Sequence, residues 1–108
     1  STEKYSFVLP NSWTGLFYTE ETDEGLAFYN RKCREAESDG FLFWISESKT
    51  KITKETTKGY YLGTKDKIYY DMVLPTGAQY DEGKKELKAE YTEMFDALKD
   101  ISKTFEFK

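Results

Sequence analysis

The chain has 108 residues, the size of one ordinary domain, with a formal net charge of −4 and an aromatic content of 18%. This acidic balance excludes a domain that binds nucleic-acid duplexes through a basic surface, because phosphate contacts need clustered Lys and Arg. The absence of histidine excludes Ser-His-Asp and Cys-His catalytic sites, and the single cysteine excludes an internal disulfide and the usual Cys/His zinc sites.

Short segments rich in aromatic and apolar residues, most of them alternating and bounded by turn residues, predict a series of strands in chain order. Their ranges are 5–9, 15–22, 26–33, 41–45, 59–63, 67–74 and 103–107. Pro10 stops the first strand, and residues 11–12 predict a short helical turn before Trp13. Asp23-Glu24-Gly25 is typical of a hairpin turn, because Asp and Gly tolerate the positive φ that such turns require.

The run Phe41-Leu42-Phe43-Trp44-Ile45 is the most apolar segment, and it does not alternate. This pattern predicts a central strand that is covered on both faces. Residues 46–58 are the most polar long segment. Their lysines have acidic neighbours, so we interpret them as part of a solvated loop or edge strand. The tyrosine pairs at 60–61 and 69–70 place one tyrosine on each face of the sheet.

Near the C-terminus the apolar period changes from two residues to 3.6. The stripe consists of Leu87, Tyr91, Met94, Phe95, Leu98 and Ile101. It predicts one long amphipathic helix with Asp81 as its N-cap and Glu82 near the positive end of the helix dipole. The expected fold is a single α+β domain over residues 1–108. It has two layers, in which an antiparallel sheet of five to seven strands carries the long C-terminal helix on one face.

The other face of the sheet is either open or covered by residues 46–58, and an open aromatic face is a candidate interaction surface. Aromatic rings stack on sugars, peptides and bases. The candidate binding residues are Trp13, Tyr18, Tyr60, Tyr69, Thr76, Gln79 and Tyr80. The alternative is that a chain poor in Leu and Val builds its core from aromatic residues. We favour this alternative for Trp44, which lies in the most apolar strand.

The segment 75–80 joins the last predicted sheet strand to the helix. Pro75 ends the strand, Gly77 permits a bend, and Tyr80 can pack beside the start of the helix. We interpret this segment mainly as a structural corner, with ligand binding through Thr76 and Gln79 as the minority hypothesis.

Carboxylates and the single cysteine are the remaining candidates for metal binding or nucleophilic chemistry. Glu20, Glu21, Asp23 and Glu24 surround the hairpin tip, but they do not match a calcium-binding loop, and we expect no metal or cofactor. Cys33 lies in a predicted strand between Lys32 and Arg34, whose charges could lower the thiol pKa. We favour a half-buried packing role for Cys33 and nominate no catalytic residue.

The segment Phe7-Val8-Leu9-Pro10-Asn11-Ser12-Trp13 resembles the opening of PsbP-like domains and of small lipoprotein-associated or surface domains of Gram-positive anaerobes. The stretches that look like the second group are Gly40-Phe41-Leu42-Phe43, Tyr61-Leu62-Gly63, residues 74–81 and Lys103-Thr104-Phe105. The resemblance implies an antiparallel sheet with a packed C-terminal helix, an extracellular or cell-surface and often lipid-anchored context, and no catalytic residues. Because no signal segment is present, a cytoplasmic location stays open.

We therefore expect a monomeric, non-catalytic extracytoplasmic domain that binds a protein or a cell-envelope component. No apolar window is long enough for a transmembrane segment. The first alternative is a carbohydrate- or peptide-binding module that uses exposed aromatic residues. The second is a small enzyme that depends on carboxylates or on Cys33.

Overall fold

The computed structural model describes residues 4–36, 39–75 and 83–108. The elements in these ranges are β1 (Tyr5–Ser6), a 3-10 helix (Asn11–Trp13), β2 (Phe17–Thr22), β3 (Gly25–Asn30), α1 (Arg31–Glu35), β4 (Phe41–Ser48), β5 (Gly59–Lys65), β6 (Ile68–Val73), α2 (Lys85–Asp96), α3 (Leu98–Lys103) and β7 (Glu106–Phe107). Among these described helices, none is long and apolar enough to cross a membrane.

Five strands form one antiparallel sheet in the order β2-β3-β4-β6-β5. The apolar strand β4 is the middle strand, so its predicted central position is confirmed. The short strands β1 and β7 form a separate antiparallel pair, in which Tyr5 faces Phe107. The predicted α+β antiparallel architecture is therefore confirmed, with the strands divided between two sheets.

Two tight turns set the register of the large sheet. Thr22 pairs with Gly25, so Asp23 and Glu24 form a two-residue loop between β2 and β3, as predicted. The β5–β6 loop is Asp66-Lys67, and both residues have positive φ (53° and 67°). Two consecutive residues of this kind form a hairpin turn whose twist matches that of the flanking strands.

The core lies between one face of the large sheet and the helices, and it is rich in aromatic rings. Its buried members are Tyr5, Trp13, Phe28, Cys33, Leu42, Phe43, Ile45, Tyr70, Met72, Tyr91, Met94, Leu98 and Ile101. At its centre the rings of Phe28 and Phe43 stack with centroids 4.4 Å apart and planes 11° apart. Direct cross-strand pairs of this kind stabilise a sheet.

The predicted C-terminal helix is present, but it bends at Ala97 and is divided into α2 and α3. The Ala97 amide donates to the Met94 carbonyl, three residues back, which tightens the turn between α2 and α3. The bend allows α2 to contact the central strand β4 while α3 contacts the edge strand β5. The residue before α2 is Lys84, which makes no side-chain capping bond. Asp81 and Glu82, the predicted helix start, lie outside the described residues.

The predicted strand 26–33 is also too long. β3 ends at Asn30, and the next five residues form α1. The side-chain oxygen of Asn30 accepts a hydrogen bond from the Cys33 amide over 2.8 Å, which caps the helix. Asn is among the best N-cap residues, and this local preference prevails over the strand pattern.

The apolar run in β4 does not alternate because the strand contains a bulge. Phe43 pairs with Phe28 and Phe41 pairs with Tyr29, so Leu42 is left without a direct partner on β3. Leu42 and Phe43 consequently both enter the core. Phe41 and Trp44 are only half-buried. The predicted cover is therefore complete on the core face of this strand and only partial on its other face.

Candidate functional site

The face of the large sheet turned away from the core carries a second set of aromatic residues. Because side chains alternate along a strand, the residues between core positions lie on this opposite face. We call it the open face and define it by Tyr18, Glu20 and Thr22 of β2, Gly25, Ala27 and Tyr29 of β3, and Phe41, Trp44 and Ser46 of β4. In each adjacent pair of strands these residues are direct cross-strand partners.

One row of the open face is aromatic. Tyr18 stacks on Tyr29 with centroids 5.2 Å apart, and the Tyr29 ring lies 5.8 Å from that of Phe41. The Arg34 guanidinium lies 4.5 Å from the Tyr29 ring centroid and 5.7 Å from that of Tyr18. Arg34 also pairs with Asp39 at 3.3 Å. The row thus already holds a guanidinium between aromatic rings and a carboxylate.

The next row contains a cleft. Ala27 stands between Glu20 and Trp44, and its small side chain leaves a depression between larger neighbours. The cleft has a volume of about 510 Å³, within the range of small-ligand sites. Its lining consists of Glu20, Thr22, Asp23, Glu24, Ala27, Tyr29, Phe41 and Trp44.

Gly25 holds the Trp44 wall of the cleft in place. A β-carbon at position 25 would lie 2.0 Å from the Ile45 carbonyl oxygen and 2.6 Å from the Trp44 indole nitrogen. Gly25 also has a φ of +145°, which L-residues rarely adopt. Only glycine therefore lets the indole lie against the backbone of β3.

The rim of the cleft is negative. Glu20, Asp23 and Glu24 are exposed and line it, and in the described part of the chain none of them forms an ion pair. The pKa of Tyr29 is raised, first by burial and then by the negative charge of Glu20. An apolar floor with an uncompensated acidic rim suits a ligand that is part apolar and part cationic.

A second cleft, with a volume of about 620 Å³, lies between α1 and the start of α2. Charged side chains of both signs line it, together with Ala36 and Leu87. No aromatic ring belongs to its described lining. Ligand pockets gain most of their affinity from apolar and aromatic walls, so the cleft on the open face is the better candidate site.

The structure distributes the sequence-predicted binding residues over different places. Tyr18 lies on the open face beside the cleft, and Tyr69 lies on the same face opposite Ser48 and Thr64. Tyr60 pairs with Met72 and lies on the core face of the large sheet, where it packs against the core. Trp13 is only 2% exposed and packs against Phe17 and Phe43. It borders a further cleft of about 550 Å³ between the 3-10 helix and α2, away from the open face.

The remaining predicted residues, Thr76, Gln79 and Tyr80, lie outside the described residues. Sequence reasoning missed Ala27, Tyr29, Phe41 and Arg34, and it placed Trp44 in the core. The alternation of Tyr18, Glu20 and Thr22 was a usable signal for one strand of the site. The bulge that moves Trp44 to the open face leaves no comparable pattern in the sequence.

Cys33 is fully buried in α1, not half-buried in a strand. Burial, together with the nearby charge of Glu90, raises the pKa of its thiol. The adjacent Lys32 forms an ion pair with Glu90, and the Arg34 guanidinium lies over the Tyr29 ring. Both cations are therefore engaged by other groups and do not lower the pKa of the Cys33 thiol. A reactive thiolate needs the opposite environment, and the thiol is a packing group.

Comparisons with known proteins identified no relative of this chain. The chain matches no family model, no curated protein and no solved structure. The function is therefore inferred from the side chains of the open face and its cleft.

Proposed function

We propose that this domain is a non-catalytic, monomeric binding module that recognises a segment of another protein or a proteinaceous envelope component through its open face. The observation that carries the proposal is the cleft over Ala27, with aromatic walls from Tyr29, Phe41 and Trp44 and an acidic rim. Trp and Tyr are enriched at the energetic centres of protein interfaces, because they bury large apolar areas with few rotatable bonds.

The charges around the cleft favour a protein over an anionic partner. Three exposed carboxylates would repel phosphate groups, so nucleic acids and phosphorylated ligands suit the cleft poorly. A peptide brings apolar side chains for the floor and amide or cationic groups for the rim. Its ordering costs free energy, so a single segment in this cleft would bind with modest affinity.

The proposal that the domain is not an enzyme rests on the groups near the cleft. Its titratable side chains are exposed carboxylates and Tyr29, and the thiol of Cys33 is buried in α1. Without histidine, no neutral-pH proton shuttle of the usual kind is available. Binding therefore needs fewer additional assumptions than turnover.

The PsbP-like classification and an extracytoplasmic, lipid-anchored setting are part of the same proposal, and they rest on the sequence resemblance alone. Their test is separate from binding. An engineered cysteine at the exposed Thr19 in the natural protein should react with a membrane-impermeant maleimide on intact cells. Labelling only after lysis would contradict this location.

The binding proposal is tested with a variant in which a larger side chain fills the cleft. In Ala27→Leu the new side chain occupies the floor without a change of charge. Thr92→Leu is the matched control, because Thr92 is exposed on α2 and belongs to none of the clefts described. A random peptide library displayed on phage is selected against the wild-type domain, and the enriched peptides are then titrated against all three proteins by calorimetry.

We expect peptides that bind the wild type and Thr92→Leu alike, and that bind Ala27→Leu at least about tenfold more weakly. Peptides that bind all three proteins equally would exclude the cleft as the binding site. A glycan array tests the alternative module, since aromatic rings and carboxylates also suit sugars. Glycan binding that Ala27→Leu abolishes, with no cleft-dependent peptide, would replace the protein partner by a carbohydrate.

A further inference from the structure

We infer that the cleft receives an arginine side chain of the partner. This inference rests on the proposed function and specifies the chemistry of its ligand. It starts from two neighbouring rows of the open face, one of which already holds a guanidinium from the chain itself.

The first row shows which arrangement the face stabilises. Arg34 lies over Tyr29 and beside Tyr18, and its other contact is the carboxylate of Asp39. A planar, weakly hydrated guanidinium thus lies over aromatic rings while a carboxylate accepts a hydrogen bond from it. The next row supplies another aromatic ring, that of Trp44, and another carboxylate, that of Glu20, but no cation of its own.

The second row contributes the indole of Trp44 and the carboxylate of Glu20. The Tyr29 and Phe41 rings of the first row and the carboxylates at the hairpin tip complete the lining of the cleft. Glu20 and Trp44 lie on strands two places apart, so their backbones are separated by about 10 Å across Ala27. The indole leans toward β3 at Gly25, and the cleft over Ala27 is the space that a flat side chain would enter, with one face toward the indole.

The unpaired state of the rim supports a cationic occupant. Within residues 4–36, 39–75 and 83–108, the ion pairs of the chain involve none of Glu20, Asp23 and Glu24. The chain as a whole is acidic, with 20 acidic and 16 basic residues, so such a surface also attracts a basic partner over a distance.

Arginine fits better than lysine for geometric reasons. Its guanidinium stacks flat on an aromatic face and presents paired N–H donors to a carboxylate, whereas the lysine ammonium is a compact and strongly hydrated charge. Burial against Trp44 and Phe41 therefore costs arginine less desolvation. The stem of the side chain can lie on the methyl group of Ala27.

The test uses N-acetyl-arginine methylamide as the probe and its citrulline analogue as the uncharged isostere. Both are titrated into the 15N-labelled domain, and the indole N–H signals of Trp44 and Trp13 are followed by NMR. We expect the Trp44 signal to shift with a Kd of about 1–10 mM for the arginine probe, while Trp13 stays unmoved. Citrulline should bind at least about fivefold more weakly.

Two charge variants separate local from general attraction. Glu20→Gln/Asp23→Asn/Glu24→Gln removes the rim, and Glu86→Gln/Asp96→Asn/Glu106→Gln makes the same three changes at exposed positions outside the cleft. Both variants carry the same net charge. We expect the rim variant to raise the Kd for arginine about fivefold or more, while the control changes it less than about twofold.

A lysine probe that binds as tightly as arginine, or an equal loss in both charge variants, would overturn the inference. So would the absence of any Trp44 shift at about 20 mM arginine probe. If displayed peptides still depend on the open cleft in that case, the proposed function stands and only the arginine assignment fails. If Ala27→Leu changes neither measurement, both proposals fail together.

Discussion

The side-chain amide of Asn30 donates to Glu90 Oε2 over 2.8 Å, which ties the end of β3 to the middle of α2. The same amide nitrogen lies 3.1 Å from the Met94 sulfur, and the carbonyl oxygen of Asn30 caps α1. Asn30 is fully buried, so water cannot replace these bonds. One side chain therefore joins a strand and two helices, and its polar groups matter because they are satisfied.

Asn30→Asp should destabilise the fold by about 2 kcal/mol at neutral pH, because it keeps the cap but places a second carboxylate against Glu90. The loss should shrink as the pH falls from about 7 toward about 3, because protonation of the new aspartate removes the like-charge repulsion. Urea unfolding across this range measures it. Adding Glu90→Gln should restore most of the lost stability at neutral pH, and a double variant as unstable as Asn30→Asp would contradict the charge explanation.

Asp71 should penalise the folded state as the pH rises. It is 3% exposed, its Oδ2 accepts from Thr57 Oγ1 at 3.1 Å, and its Oδ1 has no hydrogen-bond partner among the described residues. Burial raises the pKa of this carboxyl, although the hydrogen bonds from Thr57 and Lys58 oppose the shift. The folded state therefore holds this proton more tightly than the unfolded chain does.

The sign of the pH dependence follows from this raised pKa. The favourable contribution of protonated Asp71 is present below the unfolded pKa and is lost as the pH rises through the folded one. Asp71→Asn should therefore be about 1 kcal/mol more stable than wild type at neutral pH, and the advantage should disappear in acid. Asp96→Asn, at an exposed position of α2, is the control and should change little. A less stable Asp71→Asn at neutral pH would refute this account.

Gly25→Ala should cost at least about 3 kcal/mol, because the new β-carbon would meet the Ile45 carbonyl oxygen and the residue would be held at an unfavourable φ. Gly15→Ala is the matched comparison. Its φ is +78°, but a β-carbon there meets nothing within 4 Å, so the cost should be the backbone strain alone, about 1 kcal/mol. Chemical unfolding of both variants separates collision from strain, and equal losses would show that the close approach at Gly25 is absent.

Cys33 should react with a thiol reagent at neutral pH only as fast as the protein opens. The thiol is buried, and burial raises its pKa, so both access and thiolate content are low. We expect labelling at least about 100-fold slower than that of a Thr19→Cys thiol in a Cys33→Ala background. Reaction in denaturant should be fast for both proteins. Rapid native labelling of Cys33 would return it to the candidates for chemistry.

Several features of the fold were readable from local patterns. The Asp23-Glu24 hairpin follows from turn chemistry, and the buried stripe of Tyr91, Met94, Leu98 and Ile101 follows from helical periodicity. The aromatic core follows from composition, because aromatic residues carry most of the apolar volume. These inferences succeed because each depends on neighbours within a few positions of the chain.

The open face shows where local patterns end. Trp44 belongs to the most apolar run of the chain, and only the pairing of β4 with β3 reveals that Leu42 is the extra residue of a bulge. The bulge sends Phe43 into the core and leaves Trp44 beside Ala27 on the opposite face. The number of apolar residues along β4 does not reveal the register in which β4 pairs with β3.

The amino-acid sequence by itself determined the acidic balance, the absence of histidine chemistry, the aromatic core and the change from strands to an amphipathic helix, since composition and short-range periodicity carry these properties. Only the tertiary structure decided that the helix bends at Ala97, that Cys33 is buried in a capped helix, and that Ala27 separates Glu20 from Trp44 across three strands. The bend and the cap depend on hydrogen bonds within single turns, which apolar periodicity does not reveal. The row from Glu20 to Trp44 joins residues that are farther apart in the chain, because strand pairing sets it.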